Sequence, residues 1–125
     1  WAKTNYLGLR SLEEVFSYIY NSDIGFCVLY KIPNHLMGLP VKVFEYMAFS
    51  IPTVMSDLPY WKEMYTECAL FVNPYDPKDI AEKIHALLEN KELRIRLGKR
   101  GRALVEAKYN WETESKKLIK LYSEL

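Results

Sequence analysis

Scarcity is what first narrows this sequence. Its two cysteines, Cys27 and Cys68, lie far apart inside the apolar runs Gly25-Phe26-Cys27-Val28-Leu29 and Cys68-Ala69-Leu70-Phe71-Val72. So sparse a pair excludes a disulfide scaffold and makes no zinc signature. Free Cys packs as a small hydrophobe, so both are expected in the core, in a reducing compartment. No run of about 18 apolar residues occurs, and Trp1, Ala2, Lys3 and Thr4 do not lead into a signal stretch, so a soluble piece is expected. The formal net charge is only +1, which gives no bulk reason to expect a nucleic-acid partner. A Gly-x-Gly-x-x-Gly turn is also missing, which removes the dinucleotide oxidoreductases. Without an internal repeat or a Gly/Ser-rich linker, residues 1–125 read as a single domain.

What is present is an alternation of short apolar runs with helix-spaced stripes, the pattern of strands and helices around a parallel sheet. The fold class is therefore α/β. Tyr6 to Leu9 reads as a strand end, and Ser11-Leu12-Glu13-Glu14 as a capping box opening a helix to about Asn21. Asp23 to Leu29 reads as a strand covered on both faces, followed by a loop from Tyr30 to Gly38. Pro40 suits the first position of a helix carrying Val41, Phe44, Met47 and Ala48 and ending at Phe49-Ser50.

Ile51 to Ser56 and Ala69 to Asn73 are further strands, with a short helix from Leu58 to Tyr65 between them. Asp76-Pro77-Lys78-Asp79 opens a helix whose inward stripe is Ile80, Ile84, Leu87 and Leu88. A second helix carries Leu93, Leu97, Leu104 and Val105, with Gly98 and Gly101 as weak points. Asn110 caps a last one bearing Trp111, Leu118, Leu121 and Tyr122. Consecutive helices at the end leave the βα alternation, so this stretch either wraps the sheet or reaches toward another domain. With so few short strands, the expectation is a partial Rossmann-like domain, the later half of a doubly wound sheet.

The informative segment runs from Met37 to Ala48, where a loop ends at Gly38 and a helix begins. Free amides at a helix N-terminus attract phosphate, and a ligand there sits at the carboxyl edge of the preceding strand. Lys42 falls in the first turn, at the positive end of the helix dipole, which suggests an anion nearby to offset the penalty. Glu45, one turn on, can accept two hydrogen bonds from ribose hydroxyls. Spacing alone equally allows an ordinary i to i+3 ion pair on the helix surface.

Pro40-Val41-Lys42-Val43-Phe44-Glu45-Tyr46-Met47-Ala48, followed by Ile51-Pro52-Thr53-Val54 and Ser56-Asp57-Leu58-Pro59, closely resembles the donor-binding helix and next strand of the group 1, or family 4, glycosyltransferases. The likeness continues through Leu70-Phe71-Val72-Asn73-Pro74, Asp76-Pro77, Leu97-Gly98, Gly101-Arg102 and Tyr109-Asn110-Trp111-Glu112. It implies a GT-B architecture, in which two Rossmann-like domains face a cleft and the C-terminal one holds a nucleotide-diphosphate sugar. The chain would be the C-terminal part, without its N-terminal acceptor-binding domain.

The resemblance makes Gly38, Leu39, Val41, Lys42 and Glu45 the candidate donor site, with Glu45 on the ribose and Lys42 on the diphosphate. It implies transfer with retention, no metal and no cofactor, a UDP-sugar as first choice of donor and a GDP-sugar as second. No catalytic residue is named by it. A non-catalytic nucleotide-binding or interaction module on the same scaffold is the alternative.

Two departures stand out. Met37 occupies the position eight before Glu45 where many members carry a second Glu, and Ser50 stands where relatives often have Gly. Ser is acceptable there unless the turn needs positive φ. His35, His85, Glu63, Trp61, Tyr65, Tyr109 and Trp111 are weaker candidates, with surface exposure or packing as the ordinary reading of each. Between Lys91 and Lys120 ten Lys or Arg stand against four Glu. That excess reads as a solvated helix face or as peripheral contact with anionic lipid. A cytoplasmic location is expected, extending to the inner face of the membrane on the second of these readings.

Overall fold

The computed structural model describes residues 3–125, so Trp1 and Ala2, and what the sequence suggests for them, lie outside the described residues. In chain order the elements are α1 (Leu12–Tyr20), β1 (Gly25–Cys27), α2 (Pro33–Leu36), α3 (Val41–Ala48), β2 (Thr53–Ser56), α4 (Pro59–Tyr65), β3 (Ala69–Val72), α5 (Pro77–Glu89), α6 (Lys91–Ala107) and α7 (Trp111–Ser123). The strands form one parallel sheet in the order β1-β2-β3, with Gly25 opposite Thr53 and Thr53 opposite Ala69. Helices end the chain, as the α/β reading expects.

The core follows from strand alternation. Val54 and Met55 are adjacent and both fully buried, so they face opposite sides of β2. Met55 joins Cys27, Val43, Met47, Leu58, Trp61, Tyr65 and Cys68 beneath α3, α4 and the end of α6. Val54 joins Val72, Leu87 and Leu97 beneath α5 and the start of α6. Thus α6 serves both layers, and it does so by crossing α3.

That crossing corrects the reading of Gly98 and Gly101 as weak points of a helix. Both are buried. A Cβ on Gly98 would overlap the backbone carbonyl of Ser50, and one on Gly101 would lie 3.2 Å from Met47 Cγ. The glycines are where α6 touches α3, and the helix propensity they forgo is the lesser term. Arg102 adds a hydrogen bond to the carbonyl of Ala48, closing the C-terminal end of α3.

Several other boundaries differ from expectation. Tyr6 to Leu9 is not a strand: among the described residues nothing pairs with the outer edge of β1, and Tyr6 and Leu9 stand exposed. For the same reason β1 is trimmed to Gly25–Cys27, and Phe26, expected to be covered, is 43% exposed. The loop from Tyr30 to Gly38 contains the single turn α2, begun by Pro33 at its first position. Pro40 is the N-cap of α3 and not its first residue. Ile51-Pro52 and Asn73 fall outside the strands assigned to them, and Leu58 caps α4 without joining it. Leu88 is exposed, because α5 meets the sheet only along Ile80, Ile84 and Leu87. Trp111, Leu118, Leu121 and Tyr122 form an exposed apolar face of α7, which does not wrap the sheet.

The capping reading holds well. Ser11 and Glu14 form a reciprocal capping box on α1, and Asp76 and Asn110 accept from the first amides of α5 and α7.

At the end of α3, Ser50 N–H donates to Met47 O and Ile51 N–H to Tyr46 O, the bond pair of a Schellman turn, with Ser50 at φ 59°. This is the positive φ that makes Ser costly and Gly suitable. Ser50→Gly is expected to stabilise the fold by about 1 kcal/mol, read as a rise of a few degrees in melting temperature. A fall would show that the turn does not need this conformation.

Burial pushes the Cys68 thiol up to about 11 from its ordinary 9.0, with the Glu67 carboxylate adding to the rise. In the unfolded chain the thiol ionises near its ordinary value, whereas the folded chain keeps it protonated. Stability from this source is therefore full below pH 9.0 and lost as pH rises toward about 11. Burial raises Cys27 and Tyr65 in the same direction. Urea melts at pH 8 and pH 10.5 should show the decline, and Cys68→Ala should reduce it.

Candidate functional site

The carboxyl ends of the three strands define one edge of the sheet, and the loop after β1 is tied down there. Ser56, at the end of β2, accepts from Leu29 N–H at 2.8 Å and donates to Leu29 C=O at 2.6 Å. Lys31 reaches Asp57 at 2.8 Å, and Asp57 N–H bonds the carbonyl of Val72 at the end of β3. Tyr30 and Tyr75 stack with ring centres 5.2 Å apart, while Tyr75 O–H accepts from Lys31 N–H at 3.2 Å. These contacts steer the chain from β1 to the start of α3. None of them was foreseen from the sequence, since each joins residues whose proximity only the strand register creates.

The N-terminus of α3, like those of the short helices α2 and α4, has no side-chain cap, and of these three it is the one with a Lys in its first turn. The caps of α1, α5, α6 and α7 are side chains that accept from first-turn amides, but Pro40 can offer no such acceptor. The amides of Leu39, Val41 and Lys42 donate to no acceptor among the described residues. Free amides, the positive end of a helix dipole and a Lys in the first turn are together the features that attract an anion.

Lys42 is exposed, and its ammonium lies close enough to Cys27, the last residue of β1, to offset part of the rise that burial gives the thiol. Glu45 is partly buried one turn further along α3. Among the described residues neither side chain makes an ion pair within 4.0 Å, with the other or with anything else. The surface ion pair that spacing alone allowed is not formed among the described residues.

The remaining candidates sort cleanly. Gly38, Leu39 and Val41 line the approach to α3, with Val41 70% exposed. Gly38, Leu39 and Pro40 share a cleft of about 190 Å³ with Leu29, Asn34, His35 and Trp61. His35 holds the loop, its Nδ1 lying 2.8 Å from the carbonyl of Tyr30. Met37, just before Gly38 in the chain, is 76% exposed. Trp61 and Tyr65 are core residues, and Trp61 donates its indole N–H to the carbonyl of Gly38 at 2.7 Å. Glu63 is exposed, and His85 lies 3.7 Å from Glu89 on the surface of α5. Tyr109 packs edge-on against Phe44, while Trp111 borders a cleft of about 500 Å³ with Phe44, Met64 and Tyr109, which reaches the candidate site at Leu39.

Five of the ten basic side chains between Lys91 and Lys120 have hydrogen-bond or ion-pair partners within the chain, most of them at its surface. Arg94 closes the end of α5 by donating to Leu87 O and Leu88 O, each at 2.7 Å, and Arg102 closes α3 while bonding Glu106. Arg100 pairs with Glu67, Lys117 with Glu114 and Lys120 with Glu124. Among the described residues no helix is long and apolar enough to cross a membrane.

Comparison with known proteins places this geometry. A family model described as glycosyl transferase-like matches residues 1–120. An uncharacterized glycosyltransferase of Methanocaldococcus jannaschii is 30% identical over 121 residues, covering 95% of this chain and 33% of that protein. The N,N'-diacetylbacillosaminyl-diphospho-undecaprenol alpha-1,3-N-acetylgalactosaminyltransferase of Campylobacter jejuni is 31% identical over 120 residues, covering 94% of this chain and 30% of that one. Among solved structures, a sucrose-phosphate synthase from Thermosynechococcus elongatus superposes on 98% of this chain with a TM-score of 0.82 at 25% identity, over 30% of its own length. The chain thus spans about a third of the length of the relatives it matches.

Proposed function

The chain belongs to the glycosyl transferase-like family, and from that premise we propose that it is the donor-binding portion of a retaining glycosyltransferase, moving sugar from a nucleotide-diphosphate sugar to a saccharide or glycoconjugate acceptor. The observation that carries the proposal is the uncapped N-terminus of α3, at the carboxyl edge of the sheet, bearing the unpaired Lys42 and Glu45. The glycosidic bond to the diphosphate breaks with charge developing on the leaving oxygen. Free amides of Leu39, Val41 and Lys42, with the Lys42 ammonium, meet that charge without reorganising. Glu45, as a carboxylate, accepts from the ribose hydroxyls and fixes the nucleotide along the helix.

The Campylobacter relative is named for alpha-1,3 transfer to a diphospho-undecaprenol glycan, which supports including glycoconjugates among the acceptors. An α linkage is also what retention yields from an α-linked donor. UDP-sugars are the first donors to try and GDP-sugars the second. Acceptor recognition is assigned to the rest of a longer protein, since the relatives are about three times as long as this chain.

The direct test offers labelled UDP- and GDP-sugars with free and lipid-linked saccharide acceptors. Transfer is expected from the full-length protein and none from the 125-residue chain alone. Multiple turnover by the short chain would contradict the assignment of the acceptor site. Nucleotide binding by the full-length protein without any transfer would favour a non-catalytic module instead.

A further inference from the structure

Trp61 is 1% exposed, yet its indole carries a donor that an apolar core cannot satisfy. The donor is spent on the carbonyl of Gly38, 2.7 Å away and 23 residues earlier in the chain. More than one bond is fixed by this. Gly38 C=O and Leu39 N–H belong to the same peptide group, and no peptide bond of the described chain is cis. In a planar trans peptide the two groups point in opposite directions. Anchoring the carbonyl on the core therefore turns Leu39 N–H away from the core, where it meets no acceptor among the described residues.

We propose that Trp61 is a positioning residue: by holding the Gly38–Leu39 peptide it presents Leu39 N–H, beside the free amides of Val41 and Lys42, to an anionic group of the ligand. On the donor-site reading above, on which this inference rests, that group is the nucleotide diphosphate. Trp61 touches no ligand itself. Its effect travels through one rigid peptide plane.

The test compares Trp61→Phe with the unaltered full-length protein by calorimetry, using UDP against uridine and GDP against guanosine. Phe keeps an aromatic ring in the core and deletes the N–H. The nucleoside diphosphate should bind about ten- to a hundred-fold more weakly, as expected for loss of one charge-assisted hydrogen bond, with nucleoside affinity and binding stoichiometry unchanged. A merely structural role would lower the stoichiometry, or weaken nucleoside and diphosphate alike, and either result overturns the proposal. So does an unchanged diphosphate affinity.

Should the variant fail to fold, the unaltered protein decides by NMR. The Leu39 amide resonance should move on saturation with the diphosphate and stay in place with the nucleoside, and a Leu39 resonance unmoved by the diphosphate overturns the role. Lys42→Met keeps the two ideas apart. Diphosphate binding weakened by Lys42→Met but untouched by Trp61→Phe sinks the Trp61 role alone. Absence of any nucleotide binding to the unaltered protein sinks the donor site and this inference together.

Discussion

Lys42→Met in the full-length protein is expected to lower kcat about 100-fold or more, the loss typical of removing one preorganised donor to a developing negative charge. The ammonium meets the diphosphate, whose charge grows as the sugar leaves, so the variant should lose more in turnover than in nucleoside affinity. Glu45→Gln keeps the size of the side chain but weakens its bonds to the ribose, at a cost of about 1–3 kcal/mol in donor binding or transition-state stabilisation. The competing view, that the two are ordinary surface charges, predicts a change of no more than a few tenths of a kcal/mol in stability and near-normal kinetics. Kinetics and melting curves of both variants separate the accounts. Low turnover at unchanged melting temperature belongs to the first, and near-normal turnover to the second.

Gly98→Ala should be strongly destabilising. Helix propensity alone favours Ala by about 1 kcal/mol, so a surface glycine would gain from the change. Here the new methyl meets the backbone carbonyl of Ser50, which cannot rotate aside as a side chain would. To make room α6 must back away from α3, which strips Arg102 from Ala48 and loosens Met47 against Gly101. The net cost is expected near 3 kcal/mol, a fall of about 10 °C in melting temperature. Gly101→Ala is the comparison: its new methyl would sit tightly against Met47 Cγ at 3.2 Å and Cys68 Cβ at 3.3 Å without overlapping backbone, so the effect should be smaller. Equal melting temperatures for both variants would remove the account of the crossing.

These two sites also show where sequence stops being informative. Lys42 and Glu45 were legible because their placement is local: a loop, a Pro and a helix turn put a charge where the backbone already has unmet amides. The caps at Ser11, Asp76 and Asn110 were legible for the same reason. Gly98 read as a defect, since its value lies in a carbonyl 48 positions earlier in the chain. Trp61 read as core or as a stacking surface, because its bond to Gly38 depends on how α4 packs under the loop. Ser50 posed its question in the sequence, and φ answered it. Tyr6 to Leu9 had the composition of a strand end, but strands exist only with neighbours, and none borders the outer edge of β1 among the described residues. The outward face of α7 has the same character, with Trp111 72% exposed.

The most direct measurement is a crystal structure of the full-length protein with UDP or GDP. The account predicts phosphate oxygens within hydrogen-bonding distance of the amides of Leu39, Val41 and Lys42, the Lys42 ammonium beside them, and both ribose hydroxyls on the Glu45 carboxylate. A nucleotide seated elsewhere, such as the apolar cleft beside Trp111, with Lys42 and Glu45 still facing solvent, would contradict it.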